Sequence, residues 1–398
     1  MIKSNIANWD LMGRTKKDAP EAPKPDVVWK LPGGTAWVYY GVGNRGLVRP
    51  VILSDGFHQG ATDLNEIWDG LERGKFAFAT NLRNRRCDLV IVGYDDCTAS
   101  ILDNARAVTE CIFRSSAERM GSAPLAVGGF SMGGLITRYV LAKLEMERMD
   151  HQTDTYFSYD SPHHGAWMPI GLQALAHALR DLAPELSEQV NSPAARQLLW
   201  RHIEEFGATP GEDPERTRFL EALNRFGGWP QRPRKLALAN GAGKGNSGVP
   251  AGKEALHGVS GGALDGFALF TQATGDNKVV FQGGPAFDKL EQRVSGLPEA
   301  DGAHGGTLES FDLAFKALNV ALPGAAKCPY PSTSFVPTGS AVALRGADPW
   351  KDLSADVTNL SPDRTEFDDY KCASQNERHT LMTEELGTWL LDRLAQHR

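Results

Sequence analysis

Residues 129–133 read Gly-Phe-Ser-Met-Gly, and they place Ser131 where a serine could act as a nucleophile. An apolar run, 124–128, directly precedes them, and a segment with helical spacing, 135–146, follows. This order of strand, sharp turn and helix is the context that an exposed nucleophilic serine requires. Both flanking positions must be glycine, because larger side chains would collide in so tight a turn. The start of the helix would also stabilise a negatively charged oxygen at the site. A Gly-rich turn without chemistry is the alternative interpretation.

Strands and helices alternate around this turn. Buried strands are predicted from short apolar runs at 49–54, 88–92, 124–128, 155–159 and 235–239, and helices from amphipathic segments at 64–71, 100–120 and 135–146. Such alternation predicts an α/β fold whose right-handed crossovers build a mostly parallel, doubly wound sheet. Further predictions are a hairpin at 29–31 and 35–40, a second hairpin at 267–271 and 278–282, a late strand at 334–344 and a closing helix at 381–395.

The alternation stops at 165–232, where helical patterns are separated by Pro- and Gly-rich turns. We interpret this segment as a helical cap or lid insertion between two halves of one core, 27–164 and 233–398, with a polar tail at 1–26. Apolar residues recur on its helical faces: Ile170, Leu172, Leu175, Leu179, Leu182, Leu198 and Leu199. They either cover the site as a lid or are buried inside an ordinary helical subdomain.

Over roughly residues 35–395 the chain resembles the α/β-hydrolase superfamily, and within it bacterial lipases and esterases. The resemblance rests on Gly-Phe-Ser-Met-Gly-Gly at 129–134, Asp-Gly-Phe at 55–57, Tyr-Asp-Ser-Pro-His-His-Gly-Ala at 159–166, and a late histidine. It implies the α/β-hydrolase fold and a serine nucleophile. Such a site needs no metal and no organic cofactor.

A neutral histidine is suited to remove the proton of a serine hydroxyl, and the sequence has 10 histidines. The resemblance implies a base in the loop between the last strand and the closing helix, and His379 fits that place. His304, also in a predicted loop, is the alternative, although more chain and an apparent strand follow it. The adjacent His163 and His164 are predicted to be structural, and with no nearby carboxylate pattern they do not predict a zinc site.

The acid that orients the base is assigned from the ends of the strands. Relatives usually carry it after the strand that follows the insertion, but here that strand ends in Ala-Asn-Gly at 239–241. A minority of lipases carry the acid one strand earlier, and Asp160 stands at that position. Asp276 is the alternative, although Gly-Asp-Asn is also favourable turn chemistry in a hairpin.

An acyl-transfer site also needs hydrogen-bond donors for the oxyanion. The resemblance implies the backbone N–H of Met132, directly after the nucleophile, and that of Phe57, in the loop after the early strand. Asp55 stands where relatives carry histidine, and this departure could brace the loop by accepting backbone hydrogen bonds. His58 and Gln59 follow and could reach the site; a solvated loop position is the alternative for His58.

Together these residues predict acyl transfer. His379 removes the proton of Ser131, Ser131 attacks the carbonyl of an ester with an apolar acyl part, and Met132 and Phe57 hold the oxyanion. The predicted partner is a small-molecule or lipid-like ester. An acyltransferase, a thioesterase-type cyclase or an amidase would use the same residues. The alternative from another functional class is a binding module that resembles a hydrolase but is catalytically silent. The intact serine, the histidine and the sharp turn at 129–133, here called the elbow, argue against it.

The composition limits the classes of partner and the cellular compartment that the sequence predicts. A net charge of −7 argues against nucleic acid or an anionic membrane surface as the main partner. No apolar run of about 18 residues predicts a transmembrane helix, and the N-terminus lacks the apolar region of a secretion signal. A cytoplasmic location is therefore expected, with export by another route left open. Five cysteines without a Cys-x-x-Cys pair predict free, mostly buried thiols, with one Cys328–Cys372 bridge as the alternative. The oligomeric state is not predicted.

Overall fold

The computed structural model describes residues 12, 19–346, 348 and 350–395. The strands in this part of the chain are β1 (Val27–Leu31), β2 (Gly34–Tyr39), β3 (Pro50–Ser54), β4 (Asp88–Tyr94), β5 (Leu125–Phe130), β6 (Thr153–Tyr159), β7 (Arg234–Ala242), β8 (Glu254–Gly258), β9 (Phe267–Phe270), β10 (Lys278–Gly283), β11 (Glu291–Val294), β12 (Gly305–Leu308), β13 (Ala326–Lys327), β14 (Thr333–Pro337) and β15 (Asp369–Ala373).

The helices in the same part of the chain are α1 (Leu64–Glu72), α2 (Phe78–Asn84), α3 (Ile101–Glu118), α4 (Met132–Met146), α5 (Ile170–Ala178), α6 (Pro184–Val190), α7 (Pro193–Leu198), α8 (Pro214–Arg225), α9 (Ser310–Ala321), α10 (Thr338–Ala341) and α11 (Glu384–Ala395).

The main sheet has the order β1-β2-β4-β3-β5-β6-β7-β15, eight strands within the described residues. β1, β2 and β4 pair antiparallel, and every other pair in this sheet is parallel. The predicted α/β-hydrolase fold, with a mostly parallel sheet and helices, is therefore confirmed. The carboxyl ends of parallel strands meet at one edge of a sheet, where open α/β sheets bind their ligands.

The central strands are apolar runs because both faces of the sheet are covered. Every residue of β3 is buried. Along it the side chains alternate, with Ile52 in one hydrophobic core and Val51 and Leu53 in the other. Residues of α3 and α4 belong to the first core, and residues of α1, α2 and α11 to the second. Such double burial is why parallel strands read as continuous apolar runs in a sequence.

A second, antiparallel sheet with the order β11-β10-β9-β8-β13 follows β7 in the described chain. It contains the predicted hairpin of β9 and β10, in which Leu269 pairs with Phe281. The predicted late strand at 334–344 is wrong in extent. β14 ends at Pro337, α10 starts at Thr338, and β14 pairs with β12 outside the main sheet. Proline fixes φ near the helical value, which favours this switch from strand to helix.

The insertion at 165–232 contains α5 to α8. Its predicted apolar residues are buried except Leu182, which is 54% exposed. A hydrogen bond of 2.8 Å from the Trp167 indole N–H to the buried Asp301 carboxylate connects the segment to the chain before β12. The apolar residues of the segment are thus mostly packed inside the protein.

All five cysteines are free, so the alternative bridge between Cys328 and Cys372 is not formed. Cys87, Cys97 and Cys111 are buried, as predicted for most of the thiols. Among the described helices, none combines the length and the apolar character needed to cross a bilayer.

Candidate active site

Ser131 alone forms the turn between β5, which ends at Phe130, and α4, which begins at Met132. Its φ of 51° and ψ of −120° lie outside the regions that L-residues usually adopt. The backbone holds this strained conformation through a 2.9 Å hydrogen bond from the Ser131 N–H to the carbonyl of Tyr159. This is the sharp turn that the sequence predicts at 129–133.

The elbow needs glycine because the chain on either side of Ser131 is crowded. A methyl group on Gly133 would lie 2.4 Å from the carbonyl oxygen of Ser54, at the end of β3. A methyl group on Gly129 would lie 2.5 Å from the carbonyl carbon of Gly133. The predicted collision within the turn is thus present, and the neighbouring strand β3 adds a second one.

His379 and Asp160 extend from Ser131 in a chain of hydrogen bonds. The His379 Nε2 atom lies 2.8 Å from Ser131 Oγ, and its Nδ1 atom lies 2.7 Å from Asp160 Oδ2. His379 lies between β15 and α11, as predicted, and its backbone N–H donates to the carbonyl of Thr307 at 2.8 Å. An Nδ1–H donated to the carboxylate leaves Nε2 free to accept the serine proton.

Asp160 is held by a residue that the sequence reasoning did not select. Its second oxygen, Oδ1, accepts the backbone N–H of Asn240 at 2.9 Å. The Asn240 side chain donates to the carbonyl of Leu381 at 2.8 Å, two residues after His379. Asn240, near the end of β7, therefore holds both the Asp160 carboxylate and the chain that follows His379. The signal available in the sequence was Ala-Asn-Gly at 239–241, where the predicted strand ends with asparagine in place of a carboxylate.

The alternative acid and base lie elsewhere. Both ring nitrogens of His304 contact backbone carbonyls, Nδ1 that of Ala242 at 2.7 Å and Nε2 that of Ala355 at 3.1 Å. Asp276 is exposed in the loop between β9 and β10. The structure brings neither of them to Ser131.

His163 is buried and His164 is half-buried, and the structure brings neither of them to the hydroxyl of Ser131. His163 Nε2 lies 2.8 Å from the Ser158 hydroxyl, and its Nδ1 accepts from the Arg138 guanidinium at 3.2 Å. Burial and the charge of Arg138 lower the pKa of His163 well below its usual range, and burial lowers the pKa of His164 to about 4. Both imidazoles are therefore neutral near pH 7.

The sequence predicts the backbone amides of Met132 and Phe57 as oxyanion donors, and both residues lie in segments next to Ser131. The loop after β3 passes so close that a methyl group on Gly56 would lie 3.3 Å from Ser131 Cβ. Within the described residues, neither the N–H of Phe57 nor that of Met132 donates to another protein group. An amide without a protein acceptor is the kind of donor that an acyl-transfer site needs for its oxyanion.

Asp55 braces this loop. Its Oδ1 accepts the N–H of Gly56 at 2.8 Å, and its Oδ2 accepts the Thr62 hydroxyl and faces His58 Nε2, each at 2.8 Å. Burial disfavours both charges, but the attraction between Asp55 and His58 outweighs it. This attraction lowers the pKa of Asp55 and raises the pKa of His58 to about 11. His58 is thus a fixed part of the loop, not a solvated residue.

A cavity of about 150 Å³ opens at Ser131 and His379. Its apolar lining includes Phe57, Ile67, Phe130, Leu308 and Leu313. Carboxylates outnumber cations around it, with Asp63, Glu66, Asp69 and Glu309 beside Arg378. The described residues that line the cavity include none from the insertion at 165–232.

Gly306 is a second residue that the sequence reasoning missed, and it gives a sharp test of the geometry. A methyl group on Gly306 would lie 1.9 Å from Asp160 Oδ2. We expect Gly306→Ala to displace the carboxylate and to lower kcat for ester hydrolysis by about 100-fold or more, the effect of a misplacement of about 1 Å. Steady-state kinetics measure the change.

The matched control is Gly211→Ala, because a methyl group on Gly211 would meet no atom of the described residues within 4 Å. The control should retain the kcat of the unaltered protein. A Gly306→Ala protein that keeps its circular dichroism spectrum and its full kcat would show that Asp160 does not need its observed position.

Neither the family models nor the curated proteins include a match to this sequence. Solved structures do match. The mature lipase of Bacillus licheniformis is 13% identical over 52% of this chain and 72% of that chain, with a TM-score of 0.33. An esterase of Pyrobaculum calidifontis is 13% identical over 60% and 69%, with a TM-score of 0.34. A thermophilic carboxylesterase cloned from a metagenomic library is 13% identical over 60% and 72%, with a TM-score of 0.35. These likenesses concern the fold alone.

Proposed function

We propose that this protein is a serine hydrolase that cleaves carboxylic esters through an acyl-enzyme on Ser131. The observation that carries the proposal is the chain of hydrogen bonds from Ser131 Oγ through His379 to the buried Asp160 carboxylate. A serine hydroxyl is a weak nucleophile until an adjacent base can take its proton, and this chain supplies the base and the group that orients it.

The mechanism follows from the atoms in contact. His379 Nε2 takes the proton of Ser131 as Oγ attacks the ester carbonyl, and Asp160 stabilises the imidazolium that forms. The N–H groups of Phe57 and Met132 receive the oxyanion. His379 then gives its proton to the departing alcohol, and water releases the acyl group by the same steps.

The cavity supports a short acyl group and an uncharged substrate. Pockets for drug-sized ligands hold about 300–1,000 Å³, so a cavity of about 150 Å³ suits an acyl chain of a few carbons. The carboxylates of Asp63, Glu66, Asp69 and Glu309 make the potential at its lining negative, which disfavours an ester that carries its own carboxylate.

The insertion at 165–232 has the features of a fixed subdomain in this proposal. Its apolar faces are buried, and the described lining of the cavity comes from other segments. Both observations favour the second of the two sequence interpretations over a moving lid.

The test is hydrolysis of a series of p-nitrophenyl esters by the full chain, with a fluorophosphonate label mapped by mass spectrometry. We expect label on Ser131 and a kcat/KM for butyrate about tenfold or more above that for palmitate, because the longer chain exceeds the cavity. A protein that neither hydrolyses any ester nor takes the label would contradict the proposal. A preference for palmitate would contradict the assignment of a short acyl group.

A further inference from the structure

We propose that Asp55, His58 and Cys97 form a binding site for a divalent transition-metal ion of the zinc class. This site would connect the loop that carries Phe57 to the chain just after β4. The inference concerns a group of side chains that the ester-cleaving mechanism does not use.

The donor atoms of the three side chains converge. His58 Nε2 lies 2.8 Å from Asp55 Oδ2 and 3.1 Å from Cys97 Sγ, and Sγ lies 4.0 Å from Oδ2. Zinc with bonds of about 2.0–2.3 Å in tetrahedral geometry separates its ligands by about 3.3–3.6 Å. The observed separations lie on both sides of that range, so shifts of a few tenths of an ångström would complete the coordination.

The set of donors identifies the class of metal. A carboxylate oxygen, an imidazole nitrogen and a sulfur suit zinc or cobalt, whereas calcium and magnesium prefer oxygen ligands alone. Within the described part of the chain, this is the one group of three or more histidine, cysteine or acidic side chains with such converging atoms. Thr62 Oγ1, 2.8 Å from Asp55 Oδ2 and 3.3 Å from Cys97 Sγ, stands next to the fourth position.

The surroundings orient the ligands as metal sites require. His58 Nδ1 faces the backbone carbonyl of Gln59 at 3.4 Å, which directs Nε2 toward the group. Asp55 Oδ1 is occupied by the N–H of Gly56, which leaves Oδ2 for the metal. Such secondary contacts fix the tautomer and the orientation of metal ligands.

An ion can also reach the site. Cys97 is fully buried, but the side chains of His58 and Asp55 are 18% and 12% exposed and border the cavity at Ser131. Asp63, Glu66 and Asp69 also line this cavity, and their charge raises the local concentration of cations.

The proposed ion would hold the loop after β3 in place. Asp55 and His58 stand on either side of Gly56 and Phe57, so two bonds from one metal would fix the backbone that presents the Phe57 amide. A proton shared between Asp55 and His58 could hold the same two side chains without a metal. Metal binding therefore has to be measured directly.

The experiment uses the full chain, stripped with a chelator and then dialysed separately against zinc chloride and cobalt chloride. We expect elemental analysis to find about one ion per chain, since one three-ligand site binds one metal. The zinc-loaded protein should unfold at a higher temperature than the stripped protein, because the ion binds the folded state. Bound cobalt should show thiolate-to-metal charge-transfer absorption.

Two variants and a matched control decide the location. Cys97→Ser and His58→Ala should each lower metal affinity by about tenfold or more, and Cys97→Ser should also remove the charge-transfer band. Cys328→Ser, the same substitution at a cysteine outside the group, should change neither the metal affinity nor the charge-transfer band.

Metal binding that survives both substitutions would overturn the proposal, and so would stripped protein that takes up no metal. A proton shared between Asp55 and His58 would then explain their contact. Cys97→Ser is nearly isosteric, so this test stands even if His58→Ala fails to fold. No readout depends on ester hydrolysis, so the result is independent of the proposed function.

Discussion

Ser131→Ala is expected to lower kcat for ester hydrolysis by about 10⁵–10⁶-fold and to abolish labelling by a fluorophosphonate. The alanine removes the atom that attacks the carbonyl, and His379 then has no hydroxyl to activate. The fold should stay intact, because the neighbouring backbone contacts, such as the bond from the residue 131 N–H to Tyr159, do not involve the side chain. Steady-state kinetics and intact-protein mass spectrometry measure both effects.

The matched control is Ser116→Ala. The Ser116 hydroxyl lies on α3, is buried and makes no hydrogen bond to any described residue, so its removal should leave both turnover and labelling unchanged. If Ser131→Ala protein still hydrolysed esters at more than a small fraction of the original rate, another residue would have to be the nucleophile.

Asp160→Asn is the second variant with a large expected effect, a fall in kcat of about 10⁴-fold. The carbonyl oxygen of the introduced amide would still accept the N–H of Asn240, so the NH₂ group of that amide would face His379 Nδ1. That contact favours the imidazole tautomer with the proton on Nε2, which cannot take the proton of Ser131. Substrate binding should change little, so KM should stay near its original value.

Asp276→Asn is the control for this variant, because Asp276 was the alternative acid in the sequence. The substitution makes the same chemical change, carboxylate to amide, at an exposed side chain outside the site. We therefore expect kcat to be unaffected. The assignment would be wrong if Asp276→Asn lost activity while folded Asp160→Asn protein kept it.

The central part of the fold could be predicted because its signals are local. Strands buried on both faces, such as β3 and β4, read as apolar runs, and helix α3, which follows β4, shows its helical period directly. The Ser131 turn is a continuous motif, so its strand, elbow and helix are visible together. His379 and Asp160 needed the resemblance to a family as well, since spacing alone did not separate them from His304 and Asp276.

The remaining elements could not be predicted because their sequence signals are weak or come from residues far apart in the chain. β15 is a strand of five residues at the edge of the sheet, and its sequence Asp-Tyr-Lys-Cys-Ala shows neither an apolar run nor a clear alternation. β8 and β11 are short and carry charged residues. Asn240 and Gly306 contact Asp160 across 80 and 146 residues of chain, and no local pattern encodes such contacts.

The position of β15 also determines when the site can form. This strand pairs with β7 only after the chain has passed through the whole second sheet, and the His379 loop follows it directly. Closing so long a loop is entropically costly, and native contacts of such high contact order form slowly. The elbow of Ser131 and the Asp160 strand end belong to neighbouring, sequence-local strands and do not share this delay. During synthesis on the ribosome, Ser131 and Asp160 therefore emerge long before His379, and the three side chains come together only after β15 has paired with β7.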